Sequence, residues 1–185
     1  MPVIARNNKA DFEQPPVGVV QAVCAFVEDI GTHQSEYNGK PIIKHQVIVC
    51  WELSEKMTKD DRAGTPFTMS KFYTLSLSEK ANLRKDLESW RGKAFTDEEL
   101  DGFDLEKLIG ANCLLNLVAD KKRDGSDTVK ILAIMPLTKG TPKINKINTI
   151  APKWIDELRA KSMEANDMDQ TTQDQGFAPT SELPF

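Results

Sequence analysis

The chain has 185 residues, 39% apolar and 28% charged; this is enough for one domain with its own core, and no apolar run reaches the roughly 18 residues that span a bilayer. Its formal charge of −4 is uneven: residues 162–185 hold Glu164, Asp167, Asp169, Asp174 and Glu182 with no Lys or Arg, leaving 24 bases against 23 acids, or +1, in residues 1–161. The acidic total therefore does not exclude a nucleic-acid partner, and a start without a basic segment followed by an apolar stretch predicts no secretory signal and a cytoplasmic site.

Residues 1–16 end in Pro15-Pro16 with little apolar periodicity and read as an N-terminal arm. VGVVQAVCAFVEDI, from Val17, is rich in strand formers and long enough for a bent first strand. A polar connection bracketed by Gly31 and Tyr37-Asn38-Gly39 leads to IIKHQVIVCWEL, a second strand, and FTMSKFYTLSL after Gly64 is a third. The period then changes. Leu83, Leu87 and Trp90 fall at helical spacing, with Ser78 expected to cap the start and Gly92 to close the end. Thr96 to Glu99 has the form of a capping box before a further short helix. NCLLNLVADKK and DTVKILAIMPL flank the turn-forming RDGS as a hairpin.

The predicted order, βββαββ with one or two helices between strands 3 and 4, is that of a mainly β, five-stranded oligonucleotide/oligosaccharide-binding (OB) Greek-key barrel spanning residues 17–140. Residues 141–161 read as a linker and a short amphipathic helix whose stripe of Trp154, Ile155 and Leu158 docks on something, with Pro152 at its first turn. Residues 162–185 are polar, acidic and poor in β-branched aliphatics, and are expected to be a disordered tail.

Catalytic constellations are not found. The chain has no P-loop, dinucleotide fingerprint, HExxH or nucleophile elbow, so a non-enzyme without cofactor is expected. A metal is also not expected: the two His, His33 and His45, and the distant Cys24, Cys50 and Cys113 lack zinc-ligand spacing, and the acids at Asp97 to Glu99 are accounted for by a helix N-terminus. The odd, scattered cysteines suit reduced thiols.

A binding surface remains. Single-stranded DNA requires cations for its phosphates and flat rings on which unpaired bases stack. Strands 2 and 3 carry Trp51, Phe67, Phe72 and Tyr73 near Lys44 and Lys71, and the last hairpin adds Lys121, Lys122, Arg123 and Lys130. Alternation in strand 3 places Phe67, Met69, Lys71 and Tyr73 on one face and Phe72 among hydroxyls on the other, making Phe72 the leading stacking residue; a bulge would present Tyr73 instead. In strand 2 the same alternation turns Trp51 inward with Val47, Val49 and Leu53.

The C-terminal Ser181-Glu182-Leu183-Pro184-Phe185, after an acidic stretch, resembles the tip of bacterial and phage single-stranded-DNA-binding proteins, and residues 65–117, with PFTMSKFYTLSL and EKANLRKDLESWRGKAFTDEEL, are similar to a family of small phage and prophage proteins associated with such barrels. The resemblance implies sequence-tolerant coating of single-stranded DNA in phage replication and recombination within the bacterial cytoplasm. It also implies recruitment of replication and repair partners by Glu182, Leu183, Pro184 and Phe185. Leu183 and Phe185 suit an apolar pocket, and Glu182 and the terminal carboxylate suit a basic rim. No membrane partner is implied, and homo-oligomer formation is left open. The rival reading is an OB-fold protein-interaction adaptor that binds no nucleic acid.

Overall fold

The computed structural model describes residues 13–162. Strands β1 (Gly18–Tyr37), β2 (Lys40–Lys56), β3 (Pro66–Thr74), β4 (Asn112–Lys121) and β5 (Asp127–Pro136) form one antiparallel sheet in the order β3-β2-β1-β4-β5. Helices α1 (Asn82–Arg91) and α2 (Asp97–Asp101) and a 3₁₀ turn at Leu105–Leu108 lie between β3 and β4. A third helix, α3, occupies residues 153–162. The outer strands β3 and β5 approach each other, without a hydrogen-bonded ladder among the described residues.

The main core fills one face of the sheet. Val20, Ala22 and Cys24 of β1, Val47, Val49, Trp51 and Leu53 of β2, and Cys113, Leu115 and Leu117 of β4 follow the two-residue period of a half-buried strand. Leu83, Leu87 and Trp90 of α1 close over them, and Trp90 also donates its Nε1–H to the Asn112 carbonyl at 3.1 Å. Gly92 ends α1 in the left-handed region at φ 66°, its N–H turned back to the Glu88 and Ser89 carbonyls. The capping box at α2 forms as its sequence predicts, Thr96 and Glu99 exchanging both bonds. Ser78 does not cap α1; the N-cap is Ala81, with no side-chain bond, and Ser78 instead closes a turn with its carbonyl to the Ala81 N–H.

The polar connection expected from Gly31 to Gly39 is mostly strand. Only Asn38-Gly39 turns, with both residues at positive φ (52° and 73°), as a two-residue hairpin requires. Residues 33–45 thus form a two-stranded ribbon extending past the sheet. Two bulges in β1, at Ala25 and Ile30, shift its register on β2. The first turns Phe26 to the opposite face from Cys24, and there Ala25, Phe26, Ile30, Ile48 and Cys50 gather with Ile155 of α3 in a second, smaller core.

α3 is fastened at the foot of the ribbon. Arg159 donates to the Glu28 carboxylate at 2.8 Å and to the Asp29 carbonyl at 3.0 Å, and Ser162 Oγ accepts the Thr32 N–H at 2.7 Å. Gly31 makes this approach possible: at φ +79°, a Cβ there would lie 2.1 Å from Ser162 Oγ and 2.9 Å from its Cβ. Gly31→Ala is expected to destabilise the fold by about 1–3 kcal/mol through the strained dihedral and the displaced helix, read as a lower urea midpoint.

Candidate nucleic-acid interface

The ten aromatic and basic positions of strands 2 and 3 and the last hairpin do not share one surface. Of the aromatics, Trp51, Phe67 and Tyr73 are core, with 1%, 6% and 4% of their surface exposed. The ladder from β2 to β3 is in regular register from Trp51↔Met69 to Gln46↔Thr74, so no bulge rotates Tyr73 outward. Trp51 packs tilted against Trp90 with ring centroids 5.8 Å apart. The Tyr73 hydroxyl donates to Asp86 Oδ2 at 2.8 Å; burial, reinforced by that carboxylate, pushes the phenol far above its ordinary range. These three rings are therefore unavailable for stacking, a correction to their place among the candidate contacts.

Phe72 is outward and 49% exposed, with Ser70 and Thr74 on either side of it along the strand. Its ladder partner is Ile48, so Phe72 shares a face with Gln46 and Lys44 of β2. Lys44 lies on the ribbon, about 13 Å along the strand from Ile48 at 3.3 Å per residue. Lys71 belongs to the other face. Its ammonium reaches Asp86 Oδ2 of α1 at 2.6 Å and sits 5.5 Å from the Tyr73 ring centroid, so it tethers the helix; this too departs from the expected phosphate role.

The β4–β5 turn presents Lys122 and Arg123 to solvent. Lys121 pairs with Asp127 at 3.2 Å and Lys130 with Asp120 at 3.0 Å, and the Lys130 bond holds the Asp120 carboxyl below its usual range. None of the described contacts joins this turn to the Phe72 face. Glu182, Leu183, Pro184 and Phe185 lie outside the described residues.

Sequence reasoning missed what crosses the outer face. Residues 142–152 run as a strap over β4, β1 and β2. Asn112 exchanges two bonds of 2.9 Å with the Ile144 backbone, Gln21 donates to the Pro142 carbonyl at 2.8 Å, and Lys146 reaches the Ala25 carbonyl at 3.2 Å, its ammonium 5.1 Å from the Phe26 ring centroid. Glu52, 1% exposed, is the anchor. Its carboxylate accepts the N–H groups of Ile147 and Asn148 at 2.6 and 2.8 Å and the Asn148 side-chain amide at 2.7 Å. A buried carboxylate needs such donors, and an outward Glu beside the apolar Ile48 and Cys50 was the available signal that this face is covered.

Between the strap and the outer edge of β2–β3 lies a groove of about 390 Å³, its walls including Phe26, Cys50, Thr68, Ser70, Asn148 and Trp154. The thiols of Cys24, Cys50 and Cys113 are buried and free, burial pushing the first two up to about 12 and the third higher still, which removes them as nucleophiles at neutral pH. His45 lies 2.7 Å from Asp29 Oδ1. Burial pushes the Asp29 carboxyl up, but the Gly31 N–H and His45 outweigh it and hold it low; the pair braces the ribbon's foot. Among the described residues no three His, Cys, Asp or Glu side chains are grouped to hold a metal, and no helix is long and apolar enough to cross a membrane. No protein-family model matches the chain, and no curated protein matches it.

Proposed function

We propose that the protein is a non-catalytic, sequence-tolerant single-stranded-DNA-binding protein of the phage type, its five-stranded sheet curled into an OB Greek-key barrel. The strand order β3-β2-β1-β4-β5, with a helical connection before β4, supports that barrel. The polynucleotide lies along the outer row Thr68, Ser70 and Phe72 toward Lys44. The observation that carries the reading is Phe72: a large ring half in water, flanked by hydroxyls, on a strand whose other aromatics are packed away. Such a ring offers a base its π-face. Lys122 and Arg123, on the separate β4–β5 turn, offer a second contact for phosphates, and Glu182 to Phe185 recruit replication and recombination partners in the bacterial cytoplasm.

The test is a titration of dye-labelled oligo-dT, followed by anisotropy at low and high salt. Affinity is expected to fall steeply with salt through counterion release, and Phe72→Ala to weaken binding about 5- to 100-fold, the worth of one stacked base. The second reading, a protein-interaction adaptor, draws on the exposed apolar Val17, Val19 and Leu132. An absence of salt-sensitive binding selects it.

A further inference from the structure

We propose that the groove between the strap and the β2–β3 edge receives an unstacked base of the bound single strand, with the Trp154 indole as its stacking wall. This deepens the single-stranded-DNA reading and rests on it. Three features of the groove point to a nucleobase. Its volume of about 390 Å³ lies at the low end of the roughly 300–1,000 Å³ found for small-molecule pockets, too little for a folded peptide element. None of its lining residues is charged: apolar Phe26 and Cys50 meet the hydroxyls of Thr68 and Ser70 and the Asn148 amide, the mixture a flat heteroaromatic with polar edges requires. Both residues are exposed along the groove wall, and neither hydroxyl has a hydrogen-bond partner among the described residues.

Basic residues border it. The strap carries Lys143 and Lys146 against the single Glu52 carboxylate beneath it, Lys146 reaching the Ala25 carbonyl and the Phe26 ring in the groove wall, and Lys153 directly precedes Trp154. A neutral slot under a cationic strap suits a neutral base on an anionic backbone. The groove also continues the row already assigned to the polynucleotide. Ser70, in its wall, is two residues from Phe72 on the same face of β3, about 7 Å away along the strand. Trp154 is 39% exposed whereas Ile155 beside it is buried in the second core, so the helix is held by one residue and presents the other.

Trp154 also serves as a probe: it is the exposed tryptophan of the three, whereas Trp51, which borders the same groove, and Trp90 are buried, and the Trp154 variants separate its emission from theirs. Oligo-dT titrated into the full chain is followed at once by dye anisotropy and by tryptophan emission. Emission is expected to quench with the same midpoint as the anisotropy rise. Trp154→Leu is expected to abolish the quench and weaken binding about 5- to 100-fold, and Trp154→Phe, which keeps a flat ring, to restore most of the affinity; unchanged circular dichroism in both variants assigns the loss to the site. Salt-sensitive binding with no quench, and Trp154→Leu binding as tightly as the parent, overturns the groove and leaves the Phe72 face standing. Equal losses in Trp154→Leu and Trp154→Phe overturn stacking in favour of packing. No anisotropy change in any variant removes the underlying single-strand reading.

Discussion

Trp51→Ala is expected to destabilise the fold by about 3–5 kcal/mol, the cost of emptying a large aromatic site in a packed core, measured by urea unfolding. In β2, Trp51 is flanked across the ladder by Cys24 and Met69 and meets Trp90 on α1, so it links the sheet to the helix that covers it. Its Nε1–H has no hydrogen-bond partner among the described residues. Trp51→Phe removes that orphaned donor along with some volume and is expected to cost much less than the Ala variant. Because the ring faces the core, the Phe variant should bind oligo-dT with unchanged affinity. A Trp51→Phe protein that folds normally but loses DNA would return this ring to the binding surface.

Glu52→Ala is expected to cost about 2–3 kcal/mol and to loosen the strap. Three donors, two from the backbone and one from Asn148, converge on the carboxylate; hydrogen bonds to a charged group are worth about 1.5–3 kcal/mol each, but the freed strap regains water for its N–H groups, so the net loss is less than their sum. The check is limited trypsin digestion: cleavage after Lys143, Lys146 and Lys153 should accelerate in the variant while cleavage within the sheet lags behind. Glu52→Gln keeps one acceptor and should fall between the two. A variant whose strap resists trypsin as the parent does would show that Asn112 and α3 hold it without Glu52.

The parts of the fold legible in the sequence were those with one wet face and one dry. β3 alternates because its core side meets α1 and its other side meets solvent, and that contrast separates Phe72 from Tyr73 without coordinates. Asn38-Gly39 and the Thr96 box are likewise local chemistry, decided within four residues. The ribbon was not legible. THQSEY alternates no apolar residues with polar ones, so a strand there looks like a loop. Lys71 misled for the opposite reason: its long stem lets it sit on the core side and still reach Asp86 at the margin, and sequence spacing does not reveal a partner on a helix 15 residues away. The strap was missed because its partners, Gln21, Glu52 and Asn112, are far from it along the chain.

That separation also sets an order of assembly. At a translation rate of about 5–20 residues per second, every strand of the sheet is made before the segment that covers Phe26, Ile48 and Cys50 follows it out of the ribosome. For a second or more the nascent sheet exposes an oily strip with an unsatisfied acid beside it, ahead of the contacts between positions 95 residues apart that hide both. Slowing elongation across codons 140 to 160 should therefore lengthen the interval in which the newborn chain is vulnerable to aggregation.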